Sequence, residues 1–339
     1  PWPVRTREEA QTISSPLIGF PQRQSRAQQL ATRLYDAVGQ LQGGQNAARF
    51  ETGAEADPVT LVCISDTHNT TPRDLPPGDI LLHAGDLSQF GTFDEIQAQL
   101  TWLAAQPHQH KVVIAGNHDL LLDSAFVITH PDRELDRHDG KRRPNLEWGD
   151  VRYLEDDSLD LEVEAKGRSI RVYGSPRTPR CGMFAFQYET DQSPQGARQR
   201  QHGSSSPWYG TVPERTDVLL VHGPPLGHRD DGGKGCWQLL AEIWRTRPKV
   251  VVCGHIHVGR GMEWLLFDRA QKWYEDTMSG RAAWVSVAAL GIWVVWSLVA
   301  RVLGLANTRV DARKTLLINA AVVGDRKNGE VRNAIVVEV

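Results

Sequence analysis

Asp66 and His68 stand in the segment SDTH, Asp86 in GD, and Asn117, His118 and Asp119 in GNHD. Further along, His222 stands in HGPP, and His255 and His257 in GHIH. Carboxylates, imidazoles and an amide oxygen are the donors that hold borderline or hard divalent ions such as Mn2+, Fe2+, Zn2+ or Mg2+. The set contains no thiolate, which argues against a purely structural zinc site. Seven of these residues (Asp66, His68, Asp86, Asn117, His222, His255 and His257) are more than one tetrahedral ion needs. They fit two ions about 4 Å apart with one carboxylate shared. Taken singly, each has a plain structural explanation. A lone histidine after a strand is usually a hydrogen-bonded loop residue, and an aspartate before a helix is usually an N-cap. Five such groups in series are not explained that way.

The elements that must position them are legible in the hydrophobic pattern. VTLVCIS, DILLHAG, KVVIAG, DVLLVHG and KVVVCG are short, almost wholly apolar runs, and each ends in Gly or a polar turn bearing the residues named above. Such runs read as strands buried on both faces. Ligands in open α/β sheets bind beyond the carboxyl ends of strands, where these residues sit. Helical patterns separate several runs, at 93–105 after Thr92 and at 235–247, where Trp237, Leu240, Ile243 and Trp244 share a face. VRYL, LEVEA, IRVYG, TLLINAAVV and AIVVEV suggest further strands, partly antiparallel. The fold class is therefore layered α/β with more than one sheet. Residues 129–150 and 187–213 read as solvated surface insertions. Residues 1–57 read as a flexible extension with one amphipathic helix at about 24–42, marked by Leu30, Leu34, Val38 and Leu41.

Composition narrows the function classes. The chain has 339 residues, 40% hydrophobic and 23% charged, enough apolar material for a large core and too much for global disorder. A net charge of −3 excludes a generally basic nucleic-acid binder. The basic runs at Arg142 and Arg143 and at Arg198 and Arg200 are short and interleaved with acids, so no specific nucleic-acid binding and no nuclease groove is expected. The four cysteines (Cys63, Cys181, Cys236, Cys253) are widely spaced with no CxxC, which points to a reducing compartment and a cytoplasmic location. No charged-then-apolar leader opens the sequence.

The ordered blocks D-x-H, GD, GNH, a strand-end His and GH-x-H resemble the calcineurin-like metallophosphoesterase superfamily. YGSPRTP, FAFQY, VHGPPLGHRD and GCWQLL narrow the resemblance to the vertebrate brain metallophosphoesterase-domain family and its wider relatives. The similarity covers roughly 59–263 and resumes at about 314–339, leaving a hydrophobic helical insertion at about 268–310 within a domain spanning 58–339. It implies a four-layer α/β/β/α sandwich of two mixed sheets flanked by helices. It further implies that Asp66, His68 and His257 hold one metal, that Asn117, His222 and His255 hold the other, and that Asp86 bridges them. Hydrolysis would then proceed by attack of a metal-bridging hydroxide. On the same resemblance His118 would contact the phosphoryl group and serve as general acid, with Asp86 or Asp119 expected to hold its tautomer. Mn2+ is the first expectation, with Fe, Zn2+ or Mg2+ as alternatives.

Two departures from the protein-phosphatase branch bear on the substrate. That branch carries an Arg soon after GD and a Glu after GNH, where this chain reads GDLSQFG and GNHD. The expectation is a small phosphodiester substrate, with a phosphomonoesterase or a binding scaffold of low activity as the alternatives. Arg177, Arg180, His228 and Arg229 lie in blocks that resemble site loops and read either as substrate contacts or as surface charges. Residues 282–300 carry no charge, lie between Arg281 and Arg301, and include Trp284, Trp293 and Trp296. As a helix they span about 28 Å, close to the hydrocarbon thickness of a bilayer. Because later strands must rejoin the same domain, the segment reads as a helix in the membrane interface, a re-entrant hairpin turning near Gly291, or a helix docked on protein or a partner chain.

Overall fold

The computed structural model describes residues 24–41, 57–133, 135, 140–189, 206–304, 314–324 and 331–339. In chain order the strands are β1 (Thr60–Ile64), β2 (Ile80–His83), β3 (His110–Val113), β4 (Val151–Tyr153), β5 (Asp157–Val163), β6 (Arg168–Ser175) and β7 (Thr178–Pro179). They continue with β8 (Gln187–Tyr188), β9 (Val218–Val221), β10 (Val250–Cys253), β11 (Gly261–Leu265), β12 (Thr315–Asn319) and β13 (Ile335–Glu338). The helices are α1 (Arg26–Leu41), α2 (Phe93–Ala104), α3 (Ser124–Thr129), α4 (Trp237–Thr246), α5 (Arg269–Met278) and α6 (Ala283–Val302).

One sheet runs β13-β1-β2-β3-β4, parallel except for β13 at its edge. The other runs β11-β12-β10-β9-β6-β5, with β6, β9, β10 and β12 parallel and β5 and β11 antiparallel at the edges. The wholly apolar runs are explained by what each strand face meets. Leu61, Cys63, Leu82 and Val112 from one sheet pack against Val218, Leu220, Val252 and Ile318 from the other. Their neighbours in sequence point outward: Val62, Ile64 and Leu81 meet Ile96, Leu100 and Leu103 of α2. On the far side, Leu219, Val251 and Leu317 meet Leu239 and Ile243 of α4. The result is two large mixed sheets flanked by helices, as the pattern predicted. Truncating one of the fully buried residues, Leu61→Ala for example, would cost about 2–5 kcal/mol.

Every parallel strand in the middle of these sheets delivers its carboxyl end to the same edge of the sandwich. Local capping fixes the loops there. At the start of α2, Thr92 and Glu95 form a reciprocal capping box. Glu95 Oε1 also accepts from Asn69 Nδ2 at 2.7 Å, so the same carboxylate ties α2 to the loop carrying His68.

The insertion leaves from β11 and returns to β12, which pairs directly with it from Gly261↔Asn319 to Leu265↔Thr315. Between them α5 is capped by Asp268, whose carboxylate accepts from Gln271 N at 2.8 Å. The helix expected at about 24–42 is present as α1. Its Ala27, Ala31 and Val38 pack on Ala270, Tyr274 and Met278 of α5 and on Val287 and Leu290 of α6. The remainder of the 1–57 extension falls almost wholly outside the described residues. Helix α6 runs unbroken through Gly291, so the hairpin reading is replaced by one continuous helix.

Candidate metal centre

Asp66 and His68 follow β1, Asp86 follows β2, Asn117 and His118 follow β3, His222 follows β9, and His255 and His257 follow β10. The fold brings all eight together. Ligand atoms of Asp66, His68 and His257 lie within 4.8 Å of one another, as do those of His68, Asp86 and His118 and those of Asp86, His222 and His255. Asn117 joins the last group, its Oδ1 3.1 Å from His222 Nε2. Asp86 thus stands between two sets of donors, with Oδ2 3.7 Å from His68 Nε2 and 3.3 Å from His222 Nε2.

Backbone geometry at these positions is unusual. Asp66, His68, Asp86 and His255 have φ of 55°, 44°, 55° and 64°, the left-handed region that non-glycine residues rarely occupy. Such conformations cost on the order of 1–3 kcal/mol each and persist where surrounding bonds enforce them. Here Asp66 N donates to Gly85 O at 2.9 Å, His68 N to Asp86 O at 3.1 Å, and His255 N to both Asp66 carboxylate oxygens at 3.0 Å. The glycines of GNH and GHIH answer a second need, close approach. A Cβ on Gly116 would lie 2.2 Å from Asp86 Oδ1, and one on Gly254 would lie 2.0 Å from Asp66 Oδ2.

The donor set fits a cation. His222 Nδ1 donates to the Ala84 carbonyl at 2.8 Å, so in the neutral ring Nε2 presents a lone pair. That lone pair lies 3.1 Å from Asn117 Oδ1 and 3.3 Å from Asp86 Oδ2, a group of acceptors that a proton or a metal ion would satisfy. Without a metal the proton is drawn in: burial opposes it, but the Asp86 charge and hydrogen bond push the His222 pKa up to about 9. His68 is the complementary case. Its Nδ1 is buried with no hydrogen-bond partner among the described residues, and burial holds its pKa below the usual histidine value. Burial, reinforced by the neighbouring His222, pulls His255 down to about 4 and keeps that ring neutral as well. The carboxylates stay ionised despite burial. The His257 hydrogen bond and the imidazole charges bring Asp66 down to about 2, and His222 and His68 hold Asp86 further below the carboxylate range.

His118 sits differently. Its backbone N–H donates to Asp86 Oδ1 at 2.8 Å, and its ring lies edge-on to His68 at 4.8 Å and tilted on Phe184 at 4.8 Å. The expectation that Asp86 or Asp119 holds its tautomer is corrected: Nδ1 donates to the Gln89 carbonyl at 2.8 Å, which leaves Nε2 free of that bond. Asp119 has another task. It accepts from Ser88 Oγ at 2.7 Å, Gly116 N at 2.8 Å and Ser88 N at 2.9 Å, clamping the GD loop to the GNH loop. Burial together with the Asp86 charge pushes its pKa up to about 6.

The four cationic residues left open between substrate contact and surface charge are engaged by the protein. Arg177 Nε donates to Asp156 at 2.9 Å, Arg180 pairs with Glu189, and Arg229 with the Met262 carbonyl. His228 is buried between Glu263 at 2.7 Å and Glu275 at 3.3 Å. Sequence reasoning missed several supports. His83 Nε2 meets Thr67 Oγ1 at 3.0 Å, between Asp66 and His68, and its Nδ1 accepts from Gly85 N at 3.2 Å. Asn319 Nδ2 donates to Ile256 O at 2.9 Å, bracing the loop of His255 and His257. The signal for Asn319 was present, since TLLIN is another apolar run ending in a polar side chain.

A sequence model of the calcineurin-like phosphoesterase family matches residues 59–259. "Probable rhamnogalacturonate lyase C" of Emericella nidulans is 38% identical over 307 residues, covering 90% of this chain and 26% of that protein. "Metallophosphoesterase domain-containing protein 1" of Homo sapiens is 35% identical over 216 residues, covering 60% of this chain and 61% of that one. "UPF0046 protein T07D4.2" of Caenorhabditis elegans is 33% identical over 235 residues, covering 63% and 55%. The chain therefore spans about a quarter of the length of the first relative and little more than half of the others. The matched segment opens just before β1 and closes just after His257, so it contains every donor gathered above. On that match the chain belongs to the calcineurin-like phosphoesterase family of metal-dependent phosphoester hydrolases.

Proposed function

We propose that this domain hydrolyses small phosphodiesters at a binuclear metal centre. The observation that carries the reading is the position of Asp86, one carboxylate between two groups of neutral or anionic donors. Asp66, His68 and His257 would hold one ion and Asn117, His222 and His255 the other, with Asp86 shared between them. The mixed nitrogen and oxygen donors suit Mn2+ first and Fe, Zn2+ or Mg2+ as alternatives. Such ions, when bound, acidify water and offset charge on phosphoryl oxygens.

The chain's own residues supply the rest. His118 keeps Asp86 in place through its backbone N–H while its ring remains available. With Nδ1–H committed to Gln89 O, the ring acts as the acid in its imidazolium form, passing the Nε2 proton to the leaving oxygen and ending as neutral imidazole. Phe184 against the ring keeps water from one of its faces.

Preference for a diester rests on charge. A monoester dianion calls for an extra cationic clamp, and GDLSQFG supplies none. Arg177, Arg180 and Arg229 are turned to Asp156, Glu189 and Met262 instead. A diester carries one negative charge fewer and has less need of that clamp. Four free thiols, three of them buried, agree with a cytoplasmic setting. The test is hydrolysis of bis-p-nitrophenyl phosphate against p-nitrophenyl phosphate, each with Mn2+, Mg2+ and Zn2+. Faster turnover of the diester is expected. Preference for the monoester would move the reading to a phosphatase, and hydrolysis of neither by metal-loaded protein would favour a binding scaffold.

A further inference from the structure

Helix α6 is amphipathic in the wrong sense for a surface helix of a water-soluble domain. Its only hydroxyl side chains, Ser286 and Ser297, lie on the covered side, Ser286 buried and Ser297 half-buried against the rest of the fold. Its outward side carries Trp284, Val285, Ile292, Val295, Trp296 and Val299, exposed by between 43% and 76%. Their spacing of three, four and seven residues makes one stripe along the whole helix, and it continues through Val302. Helices α1 and α5 cover the opposite side through Val287 and Leu290.

We infer that this stripe rests on the surface of a lipid bilayer, with the helix lying in the plane of the interface. By length and composition α6 could cross a membrane. Topology forbids the crossing: β11 and β12, which bracket the insertion, pair side by side at Leu265↔Thr315, so the chain leaves and returns on one side. The choice of lipid over protein follows from the chemistry of the stripe. Protein interfaces carry about one hydrogen bond per 100–200 Å². Between Arg281 and Arg301 the outward face offers only the indole N–H groups of Trp284 and Trp296. Hydrocarbon asks for no hydrogen bonds, and tryptophan settles at the boundary between hydrocarbon and headgroups. Charge fits the same surface. Arg281, 3.8 Å from Asp276, and Arg301, which donates to the Leu41 carbonyl, close the two ends of the stripe, and α1 alongside exposes Arg26, Arg33 and Asp36, so four arginines face two acids. Anionic headgroups complement that rim. This inference does not depend on the reading of the metal centre, since every donor named there lies outside α5 and α6.

The experiment is flotation of the full chain with vesicles of phosphatidylcholine containing a minority of phosphatidylserine, and with phosphatidylcholine alone. Flotation is expected with the anionic vesicles and should weaken without phosphatidylserine. The double variant Ile292→Ser, Val295→Ser should lose flotation while keeping its metal content, because both residues face outward. Two results would overturn the inference. A chain that never floats and runs as a dimer, which the double variant dissociates, would assign the stripe to a second copy. A monomer that never floats would mean that the chain's own remaining segments cover it.

Discussion

His118 donates its backbone N–H to Asp86 Oδ1 at 2.8 Å, while its ring turns away to the Gln89 carbonyl. One residue thus holds the central carboxylate with its main chain, while its side chain is the one proposed as the proton donor. The two roles are separable by substitution, because replacing the ring leaves the backbone bond in place.

His118→Asn is expected to keep its full metal content and to lose turnover. General acid catalysis contributes about 10²–10⁴-fold, so the loss should fall in that range for a poor leaving group. It should be smaller for nitrophenolate, which needs little protonation. Rates on a leaving-group series, read beside elemental analysis, check both halves. Equal losses across the series would assign the ring to phosphate positioning.

Asp86→Ala should behave in the opposite way. The carboxylate faces both donor groups, with His68 on one side and His222 on the other. On the proposed assignment its removal should lower occupancy at both sites, whereas His68→Ala should lower mainly one. Elemental analysis of the two purified variants distinguishes them, and full occupancy in Asp86→Ala is incompatible with a shared ligand.

Gly116→Ala tests the close approach at the GNH turn. The new methyl would sit 2.2 Å from Asp86 Oδ1 and 2.6 Å from His222 Cε1. Overpacking of this kind costs about 1–3 kcal/mol, and here the displaced atoms are donors. The expected outcome is a folded protein, by circular dichroism, with weakened metal retention under a chelator challenge.

Much of the site was legible because a buried parallel strand announces itself as an apolar run, and the residue that ends it lands at the ligand edge. Asp66, Asp86, Asn117, His222 and His255 all obey that rule. What orients His118 was not legible. The partner is the carbonyl of Gln89, and a main-chain oxygen leaves no trace in residue identity. Phe184 lies in a loop without periodicity, placed by Ala185 N donating to Asn117 O at 3.0 Å. The insertion shows a third limit. Its apolar residues occupy every face of the helix in the sequence, and only packing against α1 and α5 decides which of them remain uncovered.

His228, which is outside the donor set, gives the fold a pH dependence of its own. Burial opposes its charge, but Glu263 and Glu275 push its pKa up to about 10. In the unfolded chain a histidine titrates near about 6.5. The folded form therefore binds the extra proton between these values. Its stabilisation is complete below the unfolded pKa and is lost as pH rises towards the folded one, at about 1.4 kcal/mol for each pKa unit. Thermal unfolding of metal-free protein should show stability falling through that window. His228→Gln should flatten the slope, and an unchanged slope would show that other groups govern it.

If two ions held jointly through Asp86 drive phosphodiester hydrolysis, both must be present for turnover. The direct measurement strips the protein with a chelator and titrates Mn2+ back while following bis-p-nitrophenyl phosphate hydrolysis. Activity should be absent after stripping, should rise to a plateau only when two ions per chain are bound, and should not return in Asp86→Ala. A plateau at one ion per chain, or hydrolysis that survives stripping, would rule out a shared two-ion centre.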